Sequence, residues 1–160
     1  KALADIRQNV KKWCKVHRQK HQFKDGFVGG KSTKGSAGKF IEFTADDSSM
    51  RVITGDSTNA ASLLKNEKFH LIVTDLPYGV QHFTTQQTRN PLEVLRACAT
   101  DWVASLKPGG VMVLAFNLNI PKRKDLLSVF TDHGLQILNF AAPHRMSESI
   151  VRDVVVLRKG

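Results

Sequence analysis

Four consecutive residues, Asp75-Leu76-Pro77-Tyr78, carry the groups needed to hold an amine on a planar ring. The Asp75 carboxylate accepts hydrogen bonds, and the Leu76 carbonyl is a second acceptor, presented by a turn that Pro77 stiffens. Tyr78 offers a flat face for stacking, worth about 1–3 kcal/mol per base in nucleic-acid complexes. Together they would hold an exocyclic NH2 group with its lone pair turned toward an electrophile. The plainer alternative is a helix cap at Asp75 followed by a Pro77-Tyr78-Gly79 turn.

The flanking pattern predicts what positions these residues. Phe69 to Thr74 is an apolar, β-rich run that stops at Asp75. Residues 39–44 predict a short strand, Asp46-Asp47-Ser48-Ser49 a turn, and Met50 to Thr54 a second strand closed by Gly55-Asp56. Residues 58–65 predict a short helix, and 91–106 an amphipathic helix with Pro91 near its start. Pro108-Gly109-Gly110 ends that helix, and Val111 to Phe116 is a buried strand. A helix from Pro121 through Phe130, stopped near Gly134, and strands at Leu135–Ala141 and Val151–Leu157 complete the series. Trp102 and Phe130 fall on apolar helix faces and belong to the core. Strands alternating with helices imply an α/β fold with a mainly parallel sheet covered on both faces. Ligands of such sheets collect beyond the carboxyl ends of strands, where Asp56 and Asp75 both fall.

The 160 residues are 41% hydrophobic and 24% charged, the composition of a globular domain with one core. No apolar run reaches the roughly 20 residues of a membrane span, and the first residues lack a signal-peptide core. Cys14 and Cys98 form no C-x-x-C pair, which argues against a disulfide scaffold and for a reduced, cytoplasmic setting. Of the net charge of +10, residues 1–39 carry +9 and the remainder +1. Residues 1–22 predict a basic amphipathic helix, with Leu3, Ile6, Val10, Trp13 and Cys14 on one arc. Arg7, Lys11, Lys15 and Arg18 lie on the other, a face for nucleic-acid phosphates or simply a solvated one. Residues 24–39 predict a Gly/Lys-rich loop, and 40–160 the α/β core. The loop imitates a P-loop, but Asp25 stands where its first glycine belongs, and Lys20 to Lys24 is too polar for the strand that should precede it. His17 and His21 have helical metal-ligand spacing but no third ligand, so no metal site is predicted.

Asp75-Leu76-Pro77-Tyr78-Gly79 resembles the (Asp/Asn)-Pro-Pro-(Tyr/Phe) motif of S-adenosylmethionine-dependent amino methyltransferases. Its Asp-Leu-Pro-Tyr-Gly form is similar to the RNA methylases that include the THUMP-associated tRNA guanosine methyltransferases. Leu106-Lys107-Pro108-Gly109-Gly110 resembles the segment before the fifth strand of class I methyltransferases, and Arg152-Asp153-Val154-Val155-Val156 their last strand. Gly55-Asp56 resembles the position that contacts the cofactor adenine. The resemblance covers most of the chain from residue 50 onward, and the first helix through Asn9 fits the helix after the family's second strand.

The resemblance implies a Rossmann-like class I methyltransferase fold, a mainly parallel sheet with an antiparallel last strand. The glycine-rich loop and ribose-binding acid of that fold would precede Lys1, so the chain is expected to be the C-terminal part of such a domain, lacking its N-terminal strands and inactive alone. It implies S-adenosyl-L-methionine as cofactor, with Gly55, Asp56, Ser57 and Asp75 binding it. Asp75, Leu76, Pro77 and Tyr78 would be catalytic, Asp75 and the Leu76 carbonyl orienting the amine while Tyr78 stacks on the base. Leu76 replaces the first proline of many relatives, and the role there uses only the carbonyl. The substrate implied is an exocyclic base amine of RNA, namely tRNA guanosine. His82 would line the base pocket or cap a loop, and Arg145 beside His144 would meet phosphate or solvent. An inert methyltransferase-like RNA-binding module and a DNA adenine methyltransferase are the alternatives.

Overall fold

The computed structural model describes residues 2–30, 38–76, 91–148 and 150–160. They fall into two compact units, Lys1–Asp56 and Ser57–Gly160.

The first unit opens with helix α1 (Ala2–Val16), which ends ahead of Arg18 in a left-handed conformation. Strands β1 (Gln22–Phe27), β2 (Lys39–Ala45) and β3 (Ser48–Ile53) follow as an antiparallel sheet in the order β1-β2-β3. Strand β1 corrects the sequence expectation: residues 20–24 are polar, and 24–39 was predicted to be loop. It forms because its partner supplies the apolar surface. Phe23 faces Phe43 across the ladder, ring centroids 5.5 Å apart, and Phe43 lies 5.8 Å from the His21 ring. The β2–β3 turn pairs Ala45 with Ser48, and Asp46 takes a positive φ that aspartate tolerates. That local hairpin holds β3 in an antiparallel sheet rather than in the parallel series the sequence predicted. The buried apolar side chains described here are Cys14 and Ile41.

In the second unit a 3-10 turn (Ser57–Asn59) leads into the short helix α2 (Ala60–Leu63), which ends where Lys65 and Asn66 adopt positive φ. Then come β4 (Phe69–Asp75), α3 (Pro91–Ser105), β5 (Leu106–Asn117), α4 (Arg123–Thr131), β6 (Leu135–Leu138), β7 (His144–Arg145) and β8 (Val151–Lys159). The sheet order is β4-β5-β8-β6, with β7 also on β8. Strands β4 and β5 are parallel, and β8 runs antiparallel to β5, β6 and β7. This is the Rossmann-like α/β arrangement with a reversed last strand that the sequence predicts.

Alternation decides which side of the sheet is packed. Met112, Leu114 and Phe116 of β5 and Val155 and Leu157 of β8 form one core with Leu92, Leu95 and Ala99 of α3 and Leu126, Val129 and Phe130 of α4. Trp102 joins it, stacked on Phe130. Helices α3 and α4 thus lie on one face, where the sequence predicted cover on two. Leu71 and Val73 of β4 point to the other face, 55% and 68% exposed.

Strand β5 begins at Leu106, five residues earlier than predicted. Phe69 pairs with Leu106 but Leu71 with Val111, so Lys107-Pro108-Gly109-Gly110 bulges out of the ladder. Gly109 has φ +73°, and a Cβ on Gly110 would stand 2.8 Å from the Lys107 carbonyl oxygen. Both glycines are required by the backbone path.

Candidate active site

Asp75 ends β4 on the rung opposite Ala115, so it lies on the sheet face away from α3 and α4. Its side chain is 54% exposed. The Leu76 N–H donates to the Ala115 carbonyl at 2.9 Å, which carries the ladder one residue past the strand. The Leu76 side chain turns the other way and is buried in the core. A proline here would lack that N–H, so leucine anchors the backbone at this position and fills the core with its side chain.

Asp75 is not alone at this rim. An Arg152 Nη2–H donates to its Oδ2 at 2.5 Å. Arg152 is on the rung opposite Asn117, and on its other side it pairs with His144. Arg145, an expected phosphate contact, is exposed on the next rung opposite Val151. The Asn117 side chain is buried, and its Oδ1 accepts from the N–H groups of Val151 and Asn119. Asp153, one residue on, faces the packed side, where it accepts from Arg123 and from the Ala142 N–H. Arg123 also donates to the Val154 and Phe140 carbonyls, so that buried carboxylate is fully engaged.

Arg152 carries no site role in the sequence reading, which places it only in the last strand. Its signal was the charged Arg152-Asp153 pair opening an otherwise apolar strand, since alternation sends neighbours to opposite faces.

Under the end of β4 on the packed side is a cleft of about 200 Å³ lined by Ser57, Thr74, Leu76, Pro91, Val94, Leu95 and Trp102. The Ser57 hydroxyl lies 3.4 Å from the Cys98 sulfur, and the Ser57 carbonyl accepts from the Trp102 indole N–H at 3.2 Å. The Asp101 carboxylate accepts from the Ala61 N–H, tying α2 to α3. Small-molecule sites usually offer ~300–1,000 Å³, so a cleft of this size suits one flat ring and not a whole cofactor. Ser57, expected to bind cofactor, therefore lines a mostly apolar slot of ring dimensions.

Gly55 and Asp56 close the first unit. In that unit Arg7 departs from the predicted outward cationic arc. Its guanidinium lies over the Phe23 ring at 5.3 Å and pairs with Asp25 at 3.3 Å. Lys11 also reaches over Phe23, at 5.8 Å, while Lys15 and Arg18 are exposed. Trp13, predicted on the apolar arc, is 53% exposed against His17. The helix is thus rotated: Leu3, Ile6, Arg7, Val10 and Cys14 form its inward stripe.

Pro77, Tyr78 and His82 lie outside the described residues. Among the described residues no group of three or more His, Cys, Asp or Glu could hold a metal ion. No described helix is long and apolar enough to cross a membrane.

No protein-family model matches the chain, and no curated protein matches it by sequence. Solved structures similar to it include TrmN from Thermus thermophilus, 18% identical at TM-score 0.49 over 68% of this chain and 28% of that one. TTHA0409, also from Thermus thermophilus and solved with S-adenosyl-L-methionine, is 18% identical at TM-score 0.48 over 66% of this chain and 54% of that one. The N-methyltransferase NodS from Bradyrhizobium japonicum WM9 is 16% identical at TM-score 0.43 over 58% of this chain and 52% of that one. The chain thus spans between about a quarter and about half of their lengths.

Proposed function

We propose that this chain is part of an S-adenosylmethionine-dependent methyltransferase acting on an exocyclic base amine of RNA, with tRNA guanosine as the target. One observation carries it: Asp75 stands exposed at the carboxyl end of a strand while the next residue, Leu76, is held by a backbone hydrogen bond to Ala115 with its side chain buried. Such a pair presents a carboxylate and a carbonyl at a rim where α/β sheets bind ligands.

When bound, the cofactor supplies an electrophilic methyl group on a sulfonium. Gly55, Asp56 and Ser57 would hold its adenine end, and the ring-sized slot beside Ser57 fits a flat heterocycle. Asp75 and the Leu76 carbonyl accept the two N–H bonds of the target amine, and Tyr78 stacks on its base. These contacts would turn the amine lone pair toward that methyl group, and the methylated amine would release one proton to solvent. Asp75 acts by orientation and by favouring the positive charge that grows on the amine. The exposed Lys15, Arg18 and Arg145, together with Lys11, would meet RNA phosphates.

The test is Asp75→Ala in the full-length natural protein, with methyl incorporation measured into tRNA and into duplex DNA. Turnover on tRNA should fall at least about a hundredfold, the scale of losing one positioned polar group. Unchanged turnover would remove Asp75 from the reaction. Incorporation into DNA alone would move the substrate to DNA adenine.

A further inference from the structure

We infer that Arg152 is a positioning residue for Asp75, fixing the carboxylate in the plane and rotamer that receives the amine. This rests on the methyl-transfer function proposed for Asp75. A half-exposed aspartate at a strand end can rotate about two side-chain torsions, and each misplaced rotamer presents its oxygens to water instead of substrate. Arg152 removes that freedom through the bond to Oδ2.

The support for Arg152 is itself rigid. Strands β4 and β8 flank β5 and Arg152 sits two residues off the Asp75 rung, so the side chains together span about 12 Å of sheet, within the joint reach of an arginine and an aspartate. The residue on the Asp75 rung between them is Ala115, whose methyl group leaves the surface low. The start of β8 is clamped to the end of β5: the Leu118 N–H donates to the Val151 carbonyl at 2.8 Å, and Asn117 Oδ1 accepts from the Val151 N–H. On the opposite face Asp153 is held by Arg123 and the Ala142 N–H, so the strand cannot roll. Arg152 is therefore a long lever on a fixed base. An ion pair this exposed adds little to stability, and its effect belongs to geometry instead.

Arg152→Ala and Arg152→Lys in the full-length natural protein test this, with kcat and KM measured for S-adenosylmethionine and for tRNA. Arg152→Ala should lower kcat about 10- to 100-fold, the cost of small misplacement, with KM for S-adenosylmethionine within about twofold. Arg152→Lys should restore a large share of kcat. Adding Arg152→Ala to Asp75→Ala should cost nothing more, because the lever then has no load. If the alanine variant does not fold, Arg152→Met, which keeps the side-chain length over Ala115, replaces it. A kcat within twofold of the natural protein, a loss confined to KM for tRNA, or an additive double variant would overturn the inference. The two proposals fail separately. Loss of activity in Asp75→Ala with normal turnover in Arg152→Ala removes only the positioning role, whereas unchanged turnover in Asp75→Ala removes both.

Discussion

Leu76 and Gly110 are constrained by the backbone more than by their side-chain chemistry. Leu76 donates a ladder hydrogen bond that a proline would lack, and it fills the core besides. Gly110 sits where any Cβ meets the Lys107 carbonyl at 2.8 Å, the Leu106 side chain at 3.2 Å and the His70 carbonyl at 3.3 Å. Two of those three neighbours are backbone and cannot swing aside. Gly110→Ala should therefore destabilise the protein by about 1–3 kcal/mol, the usual cost of overpacking. Thermal unfolding measures it, and an unshifted midpoint would show that the bulge relaxes freely. The contact from Arg152 to Asp75 was invisible in the sequence for a simple reason: 77 positions separate the two, and only the sheet order brings them together.

At the scale of elements, strands with their own apolar alternation were legible and those that borrow it were not. Val111–Phe116 and Val151–Leu157 declare themselves by composition, and both are interior strands of the sheet. Strand β1 reads as polar because its stability comes from Phe43 on β2, and that pairing is a tertiary fact. Helix α1 was recognisable as amphipathic, but its rotation was not: Arg7 finds an acid and a ring inside, while Trp13 turns out. Interior strands should also open last. Amide exchange should be slowest at Val113–Ala115 and Val154–Val156, and roughly tenfold or more faster throughout β1, whose outer side has no described partner strand. Equal protection in β1 and β8 would contradict this ranking.

For the molecule as a whole, the open face of the second unit sets its behaviour in solution. Among the described residues β4 pairs with β5 on one side only, and Leu71 and Val73 stand exposed on it. An apolar edge strand of this kind invites pairing with another chain. The 160-residue chain should self-associate as concentration rises, and Val73→Lys should suppress this while changing stability by less than about 0.5 kcal/mol. Sedimentation across a concentration series decides the matter; a natural chain that stays monomeric throughout would refute it. The neighbours Arg152 and Asp153 have a different consequence. Were β8 to thread one position out of step, the arginine would be driven into oil and the aspartate would meet Asp75 like against like. Mispairing thus carries its own electrical veto, and the arginine of the rim and the buried aspartate behind it together proofread the assembly of the sheet.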